Sequence, residues 1–447
     1  MADIVGGFWS DQLHGTGEDD HIQGLGGWDY ASGEAGNDLI EGGTGNDTLL
    51  GGDGDDTLLG GEGDDSLEGG PGADHLDGGS GIDEVRYYNS PVGVIVDLAS
   101  GVGAGGDATG DTLTGIENIN ATDHDDVLIG NDGANEIFAH GGRDVIDAGG
   151  GDDTIHIDGN AVVDGGDGSD TLYVSLDYNT PGEIDVTTGT APSGAAFENI
   201  EHFHVGGSGG DDVIIGGSSS DTLFGDAGND LIRGGGGNDL VIGGIGDDRL
   251  EGGAGNDQLQ GLSGADLLLG DAGNDLLLGG TDNDRLFGGT GNDRMEGGSG
   301  EDQLFGGAGN DSMFGGTAWE NESDRLEGGD GHDVMRGGAG DDILVGGNGN
   351  DLLFGGSGED TFVYDRENGS RDRIVDFEAG KDGDHIQLTL KAQDWGNIHS
   401  FEDFLAHASD TADGVYIDLN DDRPWTSGIL LEGVHVADLT ADNFLLV

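Results

Sequence analysis

GGDGDDTLLGGEGDDSLEGGPGADHLD, residues 51–77, is one nine-residue phrase said three times. Asp returns at the sixth place, as Asp56, Asp65 and Asp74, and Leu at the eighth, as Leu58, Leu67 and Leu76. The phrase divides into a turn and a strand. Its leading glycines reach backbone conformations that other residues adopt only with strain. Its last three residues alternate, so the eighth side chain points to one face and its neighbours to the other. Two phrases, about 18 residues, close one flattened coil, and coils stack as parallel strands about 4.8 Å apart. Stacking brings each sixth-place carboxylate onto the one a coil away, as Asp212 and Asp230. Two carboxylates so placed repel unless a cation stands between them.

The phrase extends in both directions. A first array runs from Gly6 to residue 86, with Asp11, Asp20, Asp29, Asp38, Asp47, Asp56, Asp65, Asp74 and Asp83 at the sixth place. A second covers residues 121–173, with Asp126, Asn135, Asp144, Asp153 and Asp170, and slips by one residue between His156 and Gly165. A third covers residues 207–363. It carries Asp212, Asp221, Asp230, Asp239, Asp248, Asp257, Asp266, Asp275, Asp284, Asp293, Asp302, Asp311, Asp324, Asp333, Asp342, Asp351 and Asp360. Four inserted residues, WENE at 319–322, break it once. The eighth place is apolar throughout, which low-complexity drift does not maintain.

Residues 87–120 and 174–206 connect the arrays. Each holds an alternating, strand-like piece (VGVIVDL at 92–98, GEIDVTT at 182–188), and each ends in ENI. Residues 364–447 differ in character. SFEDFLAHA at 400–408 reads as a short helix capped by Ser400, and GVYIDL and GILLEGV read as strands.

Composition agrees with a cation-dependent fold. The 447 residues would make about three ordinary domains. They include 99 Gly, 92 Asp and Glu against 14 Lys and Arg, and a formal charge of −78. Such a chain repels itself unless cations neutralise it. It is a poor partner for nucleic acid or anionic membranes. It contains no Cys, and no apolar run long enough for a helix to span a membrane or for an N-terminal signal peptide. Carboxylates and the carbonyls of Gly turns supply the six to eight oxygens that Ca²⁺ takes at about 2.3–2.6 Å; Mg²⁺, which holds its waters, fits less well. One Ca²⁺ per phrase gives on the order of 25–30 ions, enough to cancel most of the charge.

G-G-x-G-x-D-x-U-x resembles the nonapeptide of the RTX (repeats-in-toxin), hemolysin-type proteins. RDRIVDFEAGKDGDHIQL at 371–388 and the terminus DNFLLV are similar to the family's uncleaved C-terminal type I secretion region. The resemblance implies an all-β fold: a parallel β-roll in three stacked arrays, with β-rich connectors and a small C-terminal cap bearing a short helix. It also implies Ca²⁺ in the turns, with the sixth-place Asp residues as ligands, and export from a Gram-negative bacterium by type I secretion machinery. Asn135, the slip before Gly165 and the WENE insertion are departures that put local ion sites in question.

Other motifs carry less. GVGAGG at 101–106 fits a dinucleotide fingerprint but lacks the helix that must follow. GGSGG at 206–210 opens a repeat turn, not a nucleophile elbow. No H-E-x-x-H occurs. Glu201, His202 and His204 read as outward polar residues of a strand rather than a transition-metal site. Repeats from Gly6 onward leave no room for a catalytic core, so the expectation is a non-enzymatic, calcium-binding structural protein of the cell surface or matrix. Phe8, Trp9 and Trp28, large residues in early turns, either cap the first coil or form an intermolecular face; the second reading implies self-association, into a filament or surface layer. The alternative is a calcium-dependent polysaccharide-binding module similar to the repeat modules of mannuronan epimerases. Arg233, Arg249, Arg285, Arg294, Arg325 and Arg336 favour it.

Overall fold

The nine-residue phrase pairs each strand with the strand two phrases away, always in parallel. Tyr30–Ala35 pairs with Thr48–Asp53 in the register Tyr30↔Thr48, and Thr48–Asp53 pairs with Ser66–Glu68 as Thr48↔Ser66. Alternate phrases therefore build two opposite faces. The computed structural model describes residues 2–175, 182–189, 195–316, 321–364, 370–381, 383–389, 398–419 and 428–447. The fold is an all-β parallel solenoid. Its one α-helix among the described residues is Phe401–Ala406, capped by the Ser400 hydroxyl, which accepts from the Asp403 N–H at 3.1 Å.

The chain divides into two compact units, residues 1–206 and 207–447. In the second, one face is built from strands such as Leu240–Ile245, Gln258–Ser263 and Leu276–Thr281, and the other from Leu231–Gly236, Arg249–Ala254 and Leu267–Ala272. Eighth-place side chains fill the space between the faces. Ile232, Val241, Leu250, Leu259, Leu268 and Leu277 are fully buried. Each contributes about 1.5–3 kcal/mol, but there is one per phrase, so the core is narrow.

The strands are longer than the three residues the alternation predicts. They run six residues, because the Gly pair that opens the next phrase keeps pairing, as Gly43↔Gly61. The turn shrinks to the three residues ahead of the strand. Gly45 shows why glycine stands there. Its φ is +118°, and a side chain on it would run into the carbonyl of Gly27 one coil away.

The departures leave the ladder continuous. The slip in the second array appears as a register shift between Phe138 and His140, with His140 at φ +57°. At the insertion the Asp302 N–H still reaches the Asp324 carboxylate, at 2.8 Å, across 22 residues instead of 18. Trp319 and Glu320 of WENE lie outside the described residues. The connectors are less strand-rich than their alternation suggests: Ile95–Asp97 and Glu183–Asp185 are three residues each, and a 3-10 turn follows the second. Behind GVGAGG stands a 3-10 turn, Gly106–Ala108, and no α-helix.

Candidate metal sites in the turns

Every sixth-place Asp from Asp20 to Asp360 is buried, with 3% exposure or less, and Asp11 is half-buried. They form two columns along the edges of each array. The backbone N–H of one donates to Oδ1 of the next: Asp38 to Asp56 at 2.7 Å, Asp56 to Asp74 at 2.8 Å, Asp239 to Asp257 at 2.9 Å and Asp257 to Asp275 at 2.8 Å. The predicted pair Asp212 and Asp230 is joined in the same way, at 2.7 Å.

The second oxygen is different. Oδ2 of Asp56, Asp65, Asp239, Asp257 and Asp275 is buried and has no hydrogen-bond partner. A buried acceptor without a partner costs about 1–3 kcal/mol, and more when charged. The surroundings explain what these atoms face. A Cβ placed on Gly51 would collide with the Asp56 carboxylate and with the carbonyl oxygen of Gly69, one coil further on. Gly234 stands in the same relation to Asp239 and Gly252. Glycine there keeps open a small space bounded by a carboxylate oxygen and main-chain carbonyls.

Burial raises the pKa of these carboxyls, and neighbouring carboxylates add to it. Asp56 is pushed up to about 6, Asp239 to about 7 and Asp284 to about 8. Backbone N–H donors pull the other way without offsetting the desolvation. Among the described residues no three His, Asp or Glu side chains converge as a metal cluster. The oxygens that meet in these turns are a carboxylate Oδ2 and main-chain carbonyls. That set suits Ca²⁺ and not the nitrogen- and sulfur-seeking transition metals. Orphaned oxygens and glycine-kept space fit such an ion, which would neutralise the column and satisfy Oδ2.

The columns extend beyond the residues that the period marks. The Asp74 N–H donates to Asp111 Oδ1 at 2.9 Å, and the Tyr87 hydroxyl closes Asp111 Oδ2 at 2.8 Å. Glu117 receives the Asp83 N–H and Glu201 that of Asp170, both at 2.9 Å. Asp372 and Asp384 receive Asp351 and Asp360, at 3.0 and 3.1 Å. These five break the spacing, at 37, 34, 31, 21 and 24 residues. The ENI that ends each connector was the available sign, since Glu117 is its first residue and Glu201 follows the second copy. Glu201 is thus engaged in the column. His204 stacks on Tyr173 at 4.3 Å, in a row that continues through His156 to Phe138.

Parallel coils, buried carboxylate columns and carbonyl-lined turns together define a calcium-binding repeat solenoid. The family model described as RTX calcium-binding nonapeptide repeat (4 copies) matches residues 6–40, 24–58, 32–67, 50–85, 120–155, 158–180, 206–241, 242–277, 278–313 and 327–362. These cover more than half of the chain, and the chain belongs to that family. No curated protein matches it. Among solved structures it is similar over 62% of its length to the extracellular lipase LipA from Serratia marcescens, at 18% identity and a TM-score of 0.25, and spans 45% of that chain. It is similar over 79% of its length to a hyperactive, Ca²⁺-dependent, β-helical antifreeze protein from an Antarctic bacterium, at 16% identity and a TM-score of 0.16, spanning 83% of that chain. At these scores neither likeness bears on function.

Proposed function

We propose that this calcium-binding repeat protein is a non-enzymatic structural protein of the cell surface or extracellular matrix, exported by type I secretion machinery from a Gram-negative bacterium. It folds when calcium enters its turns outside the cell. The observation that carries the reading is the column of buried, unpartnered Oδ2 atoms beside carbonyl-lined turns. Sites of extracellular type hold Ca²⁺ with dissociation constants of about 10⁻⁴–10⁻³ M. Cytosolic calcium lies far below that, so the chain stays unfolded for passage and is stabilised by linkage outside. The six-part division (1–86, 87–120, 121–173, 174–206, 207–363 and 364–447) belongs to this reading, with the last part as cap and secretion region. So does the assignment of the sixth-place Asp residues as calcium ligands, outside the coils that open each array.

Self-assembly is supported by Phe8, Trp9 and Trp28, which are 81%, 84% and 71% exposed. Light scattering and electron microscopy at millimolar calcium test it, with Trp9→Ser as control. Calcium-dependent filaments or sheets that the substitution weakens are the expected result. A monomeric particle in both proteins removes this part of the reading.

One observation favours the second reading, a polysaccharide-binding surface. On one face of the long array Arg285, Gln303 and Arg325 form a row beside stacked Phe287 and Phe305, whose rings lie 4.7 Å apart. Arg285 also lies over the Phe287 ring, at 5.4 Å. A cavity of ≈ 260 Å³ lies against this row. Guanidinium groups and aromatic rings on an outward face suit a polysaccharide. A glycan array with and without calcium separates the two readings.

A further inference from the structure

Each array opens with turns that differ from the rest. In the array interior the second place of the phrase has positive φ, as at Gly43, Gly52 and Gly61, and the N–H there joins the ladder, as Gly52 to the Gly69 carbonyl at 2.9 Å. In the opening coils that N–H turns inward onto the sixth-place side chain. Thr16 donates to Asp20 Oδ2 at 2.6 Å, Thr122 to Asp126 Oδ2 at 2.9 Å, and Ser208 to Asp212 Oδ2 at 2.6 Å. Gly7 and Gly217 do the same to Asp11 and Asp221, both at 2.6 Å. Thr16, Thr122 and Ser208 are outside the left-handed region.

The three hydroxyls add a second closure to the same carboxylates. Each accepts from the N–H two residues on: Glu18 at 3.3 Å, His124 at 2.9 Å and Gly210 at 3.2 Å. Each also donates to the carboxylate four residues on, to Asp20 at 2.8 Å, Asp126 at 3.0 Å and Asp212 at 3.1 Å. This is the arrangement by which Ser and Thr cap helices and turns. Asn135, which opens the remaining column, goes further. Its Oδ1 accepts from Asn131 N–H at 2.8 Å, and its Nδ2 donates to the Glu117 carbonyl at 2.6 Å. An uncharged amide thus serves in an opening coil.

We propose that the opening coils are calcium-free caps. Asp20, Asp126 and Asp212 are held by protein donors where interior carboxylates meet an ion, so each array has a first coil that stands without metal and seats the coils that follow. This rests on the calcium reading of the array interior. Cations compete poorly for a carboxylate that already accepts an N–H and an O–H from its own turn, whereas the open Oδ2 of an interior Asp has no such donor.

The test is the number of bound calcium ions per full-length chain, read by native mass spectrometry at saturating calcium, with circular dichroism to check folding. One variant carries Asp20→Asn, Asp126→Asn and Asp212→Asn; the other carries Asp56→Asn, Asp239→Asn and Asp257→Asn. The opening-coil variant is expected to fold and to bind as many ions as the native chain, as Asn135 already implies. The interior variant is expected to lose at least one ion for each residue replaced. Loss of ions or of folding in the opening-coil variant overturns the cap. Unchanged counts in both variants overturn the calcium reading beneath it.

Discussion

At the scale of single residues, the second place of the phrase is where the sequence is under most tension. Leu25, Glu34, Asp226, Leu262 and Asp271 hold φ between +67° and +79° at a place that other phrases give to glycine. A left-handed side-chain residue costs about 1–2 kcal/mol, partly offset by the chain entropy that glycine loses on folding, about 0.5–1 kcal/mol. Leu262 is 46% exposed and loses little packing if removed. Leu262→Gly is therefore expected to raise stability by up to about 1 kcal/mol, read from thermal unfolding in saturating calcium; a fall would show that Leu262 packs against something. The buried carboxyls set a pH dependence. Asp56, Asp239 and Asp284, ordinarily near 3.8, are raised to about 6, 7 and 8 in the fold. A raised folded-state pKa stabilises the metal-free fold fully below the unfolded value and is lost as pH climbs through the folded one. The calcium-free chain should then be more folded at pH 5 than at pH 8. Circular dichroism that does not change between those conditions would contradict the burial of these groups as acids.

At the scale of elements, the arrays were legible and the joints were not. A nine-residue period with one apolar place fixes which side chains enter the core and which carboxylates stack, and both appear as read. Helix Phe401–Ala406 followed from its Ser400 cap. The connectors looked like inserts because their spacing abandons the period. In the fold they carry the columns through Asp111, Glu117 and Glu201 on geometry alone. Strand length was underestimated because glycine reads as turn, although here the opening glycines of each phrase stay paired in the ladder. Tyr87 is the residue that a period cannot reveal. It is buried, 24 residues from its partner, and its hydroxyl closes the Asp111 carboxylate. Tyr87→Phe leaves that oxygen unmet and should cost about 1–3 kcal/mol by thermal unfolding in calcium. An unchanged midpoint would mean that water or an ion serves Asp111 equally well.

At the scale of the whole molecule, a charge of −78 and a narrow core oppose folding together. One buried aliphatic side chain per phrase is set against columns of desolvated carboxylates, and on the proposed reading calcium in the turns tips that balance. On that reading the same property suits export, since a chain that does not fold at cytosolic calcium remains threadable. Removing residues 401–447 should leave the protein inside the cell, because the C-terminal region carries the secretion reading; normal amounts of the truncated chain in the medium would refute that assignment. The central claim is that calcium in the turns makes the fold. It is tested most directly by far-ultraviolet circular dichroism of the full chain at pH 8, titrated from excess EDTA to about 10 mM calcium, above the dissociation constants expected of extracellular sites. The account predicts a largely disordered spectrum in EDTA and a cooperative rise to a β spectrum at millimolar calcium. A full β spectrum in EDTA, unaltered by calcium, would contradict it.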